Sequence, residues 1–263
     1  MTEIIESANN KKLKLLKSLA AKKNRDKTGL YTVEGKRMTQ EAIEYAGGSI
    51  EFVAVSLSFA RENKNLVKSI DESGVSVYTI KDNLFNQVSN TVTPQGISAV
   101  MKIRADAGAE SDVPDCSRIL ILDGVSEPGN LGTIIRTAEA AGIGMVYLMR
   151  GCADIYNPKV VRSTMGSVFR VPFVRDCGIE VIKRLKESGF VIAASSLGES
   201  VDVYEYANSE AKTNKCAVVI GSEAFGISDE VLSLADARVH IPMQGKVESL
   251  NAAVAAGILM YIL

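Results

Sequence analysis

Few side chains in this sequence belong to a standard catalytic arrangement. Its 263 residues include a single histidine, His240, so catalysis centred on histidine has one candidate. His240 stands at the end of an apolar run, and that position favours a structural role. The cysteines form no CxxC pair, so zinc-ligand and redox spacing are both missing, and we expect reduced, mostly buried thiols. They are Cys116, Cys152, Cys177 and Cys216.

The other polar candidates lie in loops that follow apolar, strand-like runs. In the first loop, Asn130 can cap a helix that would hold Arg136 in its early turns. On its own, Arg136 is better explained by a surface salt bridge than by catalysis. In the second loop, Gly221 would let backbone approach a ligand closely, and Glu223 follows it. Taken alone, each of these loops is a weak signal.

The third loop, QGKVE, leads into the closing segment SLNAAVAAGILMYIL. Ser249 can cap the closing helix, and Asn251 would lie in its first turn. The apolar tail is shorter than the roughly 20 residues that span a bilayer, so we expect core and interface packing and no membrane association. The N-terminus has acidic residues and no apolar run, which is the wrong order for a secretory signal, and we interpret the protein as cytoplasmic.

Two α/β domains are expected to position these loops. From residue 118 onward, short apolar runs such as RILILDGV, MVYLM, FVIAAS and CAVVIG alternate with helical segments, which predicts a parallel sheet covered by helices. Ligand-binding loops would then lie at the carboxyl ends of the strands. The stretch RADAGAESDVPDCS interrupts the pattern, and we predict domains at 1–105 and 118–263 with a linker at 106–117. A Rossmann-type nucleotide-binding enzyme is disfavoured because the first loop lacks GxGxxG.

The net charge of −1 conceals a division between these domains. Residues 1–105 carry 16 Lys and Arg against 11 Asp and Glu, whereas residues 106–263 carry 14 against 20. A polyanion is therefore expected to meet the first domain. The stretch NNKKLKLLKSLAAKKNRDK predicts an amphipathic helix with eight basic residues between Lys11 and Lys27. On charge alone, a merely solvated face explains these residues equally well.

Three stretches together carry a family resemblance. In this order, EPGNLGTIIRTAEAAG, VVIGSEAFGIS and IPMQGKVESLNAAVAAGIL resemble the three motifs of the SpoU/TrmH family of RNA ribose 2'-O-methyltransferases, within the SPOUT superfamily. The intervening NPKVVRSTMGSVFRVP is also similar, so the resemblance covers essentially all of 118–263. The stretches LYTVEGKRMTQEAI and TPQGISAVM resemble the L30e-like substrate-binding domain that precedes many such catalytic domains.

The resemblance implies transfer of a methyl group from S-adenosylmethionine to a ribose 2'-hydroxyl of RNA, without a metal, by a homodimer whose C-terminal domain contains a deep trefoil knot. Cofactor contacts would involve the second and third motifs. They are Gly221, Ser222, Ile241, Met243 and Leu250. Arg136 would be essential, either as the base or as a stabiliser of the forming alkoxide and the adjacent phosphate. Asn130 would orient the substrate or Arg136, Glu223 would hold that arrangement, and Ser249 and Asn251 would supply polar contacts.

The same resemblance implies that the first domain holds RNA by phosphate contacts. The predicted contact residues are basic: Lys11, Lys12, Lys14, Lys22, Lys23, Arg25, Lys36 and Arg37. The accessory domain favours 23S ribosomal RNA as substrate. A transfer RNA 2'-O-methyltransferase shares the catalytic motifs and stays an alternative within the enzyme class. A non-catalytic RNA-binding or ribosome-assembly factor is the alternative from another class.

Overall fold

The structure is a computed structural model that describes residues 4–107, 113–209 and 213–263. The described chain divides into two compact units. One contains the residues up to 104 together with Tyr156–Phe169, and the other contains the remainder. Residues 156–169 thus leave the C-terminal part of the sequence and pack with the N-terminal unit.

The strands and helices are numbered in chain order over the described residues. The strands are β1 (Ile4–Ile5), β2 (Leu30–Glu34), β3 (Ile50–Ser56), β4 (Val77–Ile80), β5 (Ile97–Lys102), β6 (Arg118–Asp123), β7 (Met145–Met149), β8 (Phe173–Cys177), β9 (Val191–Ser195), β10 (Val201–Asp202), β11 (Cys216–Gly221) and β12 (Ala237–His240). The helices are α1 (Lys11–Ser18), α2 (Lys22–Thr28), α3 (Lys36–Ala46), α4 (Leu57–Glu62), α5 (Lys64–Glu72), α6 (Asp82–Asn86), α7 (Pro128–Ala140), α8 (Pro158–Ser163), α9 (Glu180–Glu187), α10 (Val203–Ala207), α11 (Asp229–Leu232) and α12 (Ala252–Ile262).

The first unit is built on a five-stranded mixed sheet in the order β1-β4-β3-β5-β2. Strand β5 runs antiparallel to both of its neighbours, whereas β1, β4 and β3 are parallel. Helix α8 packs on β2, where the Tyr31 and Tyr156 rings lie 4.5 Å apart between centroids. This aromatic contact helps to hold residues 156–169 in the first unit.

The predicted basic helix is two helices rather than one. Helix α1 ends at Ser18 and α2 begins at Lys22, and the buried Leu19 lies in the break. Arg25, only 2% exposed, donates from Nη1 to the carbonyl oxygens of Leu19 and Ala20 at 2.8 Å each. These carbonyls lie where helical hydrogen bonding is interrupted, so the guanidinium replaces missing backbone donors. The prediction that Arg25 contacts RNA is therefore wrong.

The second unit contains a seven-stranded sheet in the order β10-β12-β9-β11-β6-β7-β8. Every pairing in it is parallel, as predicted. Strand β11 is central and pairs residue for residue with β6, from Cys216 beside Arg118 to Gly221 beside Asp123. Buried aliphatic side chains on both strands, among them Ile119 and Val219, anchor the core. The carboxyl ends of β6, β9, β11 and β12 therefore present their loops at one edge.

Helix α12 closes the second unit by packing on α7 and β11. Ala256 and Leu259 on its inner face are fully buried, while Val254 and Tyr261 on its outer face are 51% and 66% exposed. A Cβ placed on Gly257 would lie 3.5 Å from the Thr137 methyl group, so α7 and α12 approach each other closely. No helix in the described parts of the chain is long and apolar enough to cross a membrane.

Candidate active site

The first loop ends at the N-terminus of helix α7, and a side chain caps this helix. The side chain of Glu127 accepts a hydrogen bond from the Asn130 backbone N–H at 2.7 Å, and Pro128 occupies the first helical position. Glu127 is therefore the N-cap of α7, and the prediction that Asn130 caps this helix is wrong. As the third residue of α7, Asn130 has its backbone satisfied and its side-chain amide available for other partners.

The second loop is a tight turn from Ser222 to Gly226. Two backbone hydrogen bonds join these residues at 2.9 and 3.0 Å, and the Ser222 hydroxyl accepts from the Phe225 N–H at 3.0 Å. A Cβ on Gly221 would lie only 2.1 Å from the carbonyl carbon of Gly226. Glycine is required at Gly221 because the chain's own backbone returns past it. The close backbone approach predicted for Gly221 is thus made by the turn itself.

The third loop ends at Asn251, which is the N-cap of α12. Its side-chain oxygen accepts from the backbone N–H groups of Ala253 at 2.9 Å and Val254 at 3.3 Å. The prediction that Ser249 caps this helix is wrong, because α12 begins at Ala252, three residues further on. Ser249 is exposed in the loop and is one of the residues that line the cavity described below.

A chain of side-chain hydrogen bonds joins the three loops. Asn251 Nδ2 donates to Asn130 Oδ1 at 2.9 Å, and Asn130 Nδ2 donates to Glu223 Oε1 at 2.8 Å. The Glu223 carboxylate also accepts from the backbone N–H groups of Ser126 and Glu127, at 3.3 and 3.4 Å. Each amide therefore has a defined orientation, and the start of α12 is tied to the start of α7.

The hydrogen bonds to Glu223 act on its protonation. Partial burial raises the pKa of its carboxyl, but donors from the Asn130 side chain and the backbone of Ser126 and Glu127 outweigh burial, so the pKa lies below its ordinary value. Glu223 is accordingly a carboxylate at neutral pH, and it accepts hydrogen bonds from the Asn130 amide in that form.

A cavity of about 690 Å³ opens beside this chain of hydrogen bonds. Its walls come from the ends of β9, β11 and β12, the Ser222–Gly226 turn, and the start of α12. The lining includes all five residues predicted to contact a cofactor: Gly221, Ser222, Ile241, Met243 and Leu250. Glu223, Ser249 and Asn251 line it as well, whereas Asn130 contacts it through Glu223 and Asn251.

The loop after β9 was missed by the sequence reasoning. Ser195, Ser196 and Leu197 line the cavity from this loop, and Phe225 lines it from the Ser222–Gly226 turn. The signal was present, because FVIAAS is an apolar run ended by polar residues in a predicted parallel sheet. His240 lines the cavity too, with Nδ1 at 3.0 Å from the Ser200 hydroxyl.

Arg136 lies apart from the cavity within one chain. It is the ninth residue of α7, in the third turn, and not in the early turns that the sequence suggested. The helical rise places it about 9 Å further along the axis than Asn130. Its side chain is exposed and forms no hydrogen bond or ion pair within the described residues. The guanidinium is thus available to a substrate or a second chain.

The cysteines are not arranged for chemistry. Cys177 and Cys216 are buried, while Cys116 and Cys152 are half-buried, and none of the four is in a disulfide. Burial raises the pKa of the Cys152 thiol to about 11, with backbone donors from Val125 and Gly124 opposing it. Within the residues that the structure describes, no group of three or more His, Cys, Asp or Glu side chains could hold a metal ion.

The basic residues of the first unit fall into three environments. Lys12 is half-buried with its Nζ 4.6 Å from the centre of the Phe52 ring, and Arg25 is buried. Lys36 is exposed and donates to Asn63 Oδ1 at 2.8 Å. The remaining predicted RNA contacts are exposed: Lys11, Lys14, Lys22, Lys23 and Arg37.

Comparison with family models assigns both parts of the chain. Residues 117–261 match the SpoU rRNA Methylase family, and residues 10–99 match the MRM3-like substrate binding domain. Because the first match spans more than half of the chain, the protein belongs to the SpoU rRNA methylase family, a family of RNA methyltransferases. The predicted family, enzyme class and α/β fold with a small N-terminal domain are confirmed.

Individual relatives agree with this assignment over nearly the full length. The 23S rRNA (guanosine(2553)-2'-O)-methyltransferase RlmP of Bacillus subtilis is 36% identical over 98% of this chain and 97% of the relative. An AdoMet-bound rRNA methyltransferase from Sinorhizobium meliloti is 28% identical, with a TM-score of 0.85 over 99% of this chain and 97% of that one. The SpoU methyltransferase AviRb from Streptomyces viridochromogenes, in complex with AdoMet, is 26% identical, with a TM-score of 0.80 over 96% and 97%.

Proposed function

We propose that this protein uses S-adenosylmethionine to methylate a ribose 2'-hydroxyl of 23S ribosomal RNA. The observation that carries the proposal is the hydrogen-bonded chain from Asn251 through Asn130 to Glu223, beside a cavity of about 690 Å³. It joins one residue from each family motif. The name of the Bacillus relative supports 23S ribosomal RNA as the substrate and the ribose oxygen as the acceptor.

The cavity fits a nucleoside-sized cofactor. Its volume lies within the roughly 300–1,000 Å³ of small-molecule sites, and residues from the loops after β9, β11 and β12 line it. Gly221, Ile241 and Leu250 would hold S-adenosylmethionine chiefly through main-chain groups, and Ser222 and Met243 would add side-chain contacts. When bound, this cofactor supplies an electrophilic methyl group with its leaving group already in place, so no metal is needed. Two solved relatives hold the same cofactor.

Arg136 would act on the acceptor hydroxyl. A ribose hydroxyl becomes a good nucleophile only as its proton leaves, so negative charge develops on the oxygen. A guanidinium keeps its charge and offers a planar set of donors to an alkoxide and a neighbouring phosphate. Because Arg136 has no carboxylate partner within the described residues, this charge is available. We favour stabilisation of the alkoxide by Arg136 over its action as the base.

A second copy of the chain would complete the site. Val254 and Tyr261 leave an apolar stripe exposed on α12, which suits contact with an identical helix. Arg136 lies far enough along α7 from Asn130 that a homodimer could present it to the cavity of the partner. We also propose that the loop before α12 forms the trefoil knot expected from the family resemblance.

The first unit would hold the RNA. The exposed lysines of α1 and α2, with Lys36 and Arg37 at the start of α3, would contact phosphates. The match of residues 10–99 to a substrate binding domain supports this role. Lys12 would contribute less, because its ammonium group already lies over the Phe52 and Tyr78 rings.

Methyl transfer to RNA from a strain lacking the protein tests the proposal. Ribosomal and transfer RNA are incubated separately with radiolabelled S-adenosylmethionine and the wild-type, Arg136→Ala or Arg238→Ala protein. We expect label in the large ribosomal RNA, at a site resistant to alkaline cleavage. Arg136→Ala should lower the rate by about 100-fold or more while cofactor binding is retained. Arg238→Ala, the matched exposed arginine, should keep the wild-type rate.

The other outcomes of this experiment would assign a different function to the protein or remove a residue from the mechanism. Label in transfer RNA alone would make it a transfer RNA 2'-O-methyltransferase. Absence of label from both RNA classes, with RNA still bound, would favour a binding or assembly factor. Full activity of Arg136→Ala would remove Arg136 from the mechanism.

A further inference from the structure

Phe225 is the most exposed aromatic side chain among the described residues. It is 93% exposed, compared with 66% for Tyr261 and about half for Tyr45 and Tyr204. It also lines the cavity of the candidate site. A phenylalanine that could fold against apolar surface would normally do so, because burial of its ring is favourable. Its exposure at this position is therefore explained best by a ligand that covers the ring.

The turn that carries Phe225 is held in place from both sides. Ser222 and Gly226 are joined by two backbone hydrogen bonds, and the Phe225 N–H donates to the Ser222 hydroxyl. Glu223, two residues earlier, is tied to the first loop by three hydrogen bonds. The backbone at Phe225 is thus fixed, and the ring is presented to solvent at a defined position.

The neighbourhood of the ring indicates the chemistry of the ligand. Leu197, 70% exposed, lines the same cavity from the loop after β9. The lining of this cavity combines the hydroxyl groups of Ser195, Ser196 and Ser222 with aliphatic side chains such as Ile241 and Met243. An exposed aromatic face beside hydroxyl groups suits a planar heterocycle with polar edges, because stacking uses the face while hydroxyls reach the edges.

We propose that Phe225 stacks on an unpaired nucleobase of the RNA, at the nucleotide whose ribose is methylated or the one beside it. This inference rests on the proposed function, since it assumes that RNA enters this cavity. Stacking would hold the ribose at the edge of the cavity, next to the chain of hydrogen bonds through Asn130. Phe225 would then be a specificity-determining residue that selects an unstacked nucleotide, and it would not take part in proton transfer.

The sequence offers a clean optical test, because it contains no tryptophan. In Phe225→Trp the introduced indole is the sole tryptophan fluorophore, and stacking by a base quenches its emission. Tyr204→Trp, on a half-exposed site outside the cavity lining, is the matched control. Each protein is titrated with ribosomal RNA, with inorganic polyphosphate, and with S-adenosylmethionine alone.

We expect ribosomal RNA to quench Phe225→Trp and to leave Tyr204→Trp unchanged. Polyphosphate, which has charge but no bases, should quench neither variant. Quenching by S-adenosylmethionine alone would assign the ring to the cofactor adenine and overturn the proposal. Absence of quenching by RNA that demonstrably binds would overturn it as well.

Kinetics supply a second readout. Phe225→Ala should raise KM for RNA about tenfold, with kcat and cofactor affinity little changed, and Phe225→Tyr should restore KM. Phe225→Leu keeps an apolar side chain without a ring and should not restore it. Conversion of Phe225→Ala to monomer in size-exclusion chromatography would show a contact between copies and overturn the proposal. If the wild type methylates no RNA, the proposed function fails, and the quenching experiment still decides whether Phe225 meets bases.

Discussion

Asn130 is the residue that joins the three family motifs, because both ends of its amide are in use. Its oxygen accepts from Asn251 and its nitrogen donates to Glu223. An amide carries a donor and an acceptor on separate atoms, so one side chain can serve a carboxylate on one side and an amide donor on the other. The residue types of the site could be found from the sequence, whereas their mutual contacts needed three loops to meet in space.

Protonation of Glu223 should couple the site to stability at acidic pH. Because its folded pKa lies below the ordinary value of 4.5, its contribution to stability is complete above that value and is lost as pH falls through the folded pKa. We expect the free energy of unfolding of the wild type to fall more steeply below about pH 5 than that of Glu223→Gln. Denaturant titrations between neutral pH and about pH 3 measure this.

The control for that comparison is Glu230→Gln, an exposed glutamate at the start of α11. Its stability profile should follow the wild type. If Glu223→Gln also followed the wild type at every pH, the hydrogen bonds to the Glu223 carboxylate would have no part in stability.

At the scale of elements, most strands of the second unit and their parallel direction could be predicted, but the helix ends could not. Apolar runs and their alternation with helices depend on local patterns that the chain displays directly. Capping depends on which of several nearby polar residues reaches the free backbone donors. Glu127 caps α7 and Asn251 caps α12, whereas the sequence had suggested Asn130 and Ser249. The burial of Arg25 could not be predicted from the sequence either, because its partners are backbone carbonyls at the break between α1 and α2.

Gly221 allows a test of the turn that carries the second motif. Gly221→Ala would place a Cβ within 2.4 Å of backbone atoms of Gly226 and Ile227, which cannot move without opening the turn. We expect a loss of about 1–3 kcal/mol in the free energy of unfolding, and weaker cofactor binding. Gly47→Ala, in the first unit and outside the cavity lining, is the control, because nothing lies within 4 Å of its added Cβ and its backbone is right-handed helical.

Urea unfolding and calorimetric titration with S-adenosylmethionine would measure both effects. Wild-type stability in Gly221→Ala would mean that the backbone of the turn can relax around a methyl group. The return of the chain past Gly221 would then not explain why glycine stands there.

At the scale of the whole molecule, charge differs between the two parts of the chain: residues 1–105 carry an excess of basic residues and residues 106–263 an excess of acidic ones. That the basic part holds RNA while the acidic part performs the chemistry stays a prediction from this composition. The transfer of residues 156–169 to the first unit was beyond sequence reasoning, since it depends on tertiary contacts such as that between Tyr31 and Tyr156.

Salt dependence of RNA binding should report on the first unit. If Lys22 and Lys23 each contact a phosphate, the slope of log affinity against log salt concentration should be less steep in the double variant Lys22→Gln/Lys23→Gln. The expected decrease in the magnitude of this slope is roughly 1.4–1.8. Filter binding at several salt concentrations measures the slope. Lys183→Gln/Lys215→Gln, which removes two exposed lysines of the second unit outside the cavity lining, should leave the slope unchanged. Equal slopes for the wild type and the first variant would remove Lys22 and Lys23 from the RNA interface.

Asn251 has a consequence for the order of events during synthesis of the chain. It caps α12 and also fixes the amide of Asn130, more than a hundred residues earlier in the sequence. The site therefore cannot assemble until the ribosome has released the segment that forms α12 from its exit tunnel. A fragment interrupted before that point would carry most of the sheet and all of the first unit. If the first unit holds RNA as proposed, such a fragment would bind RNA without the means to modify it.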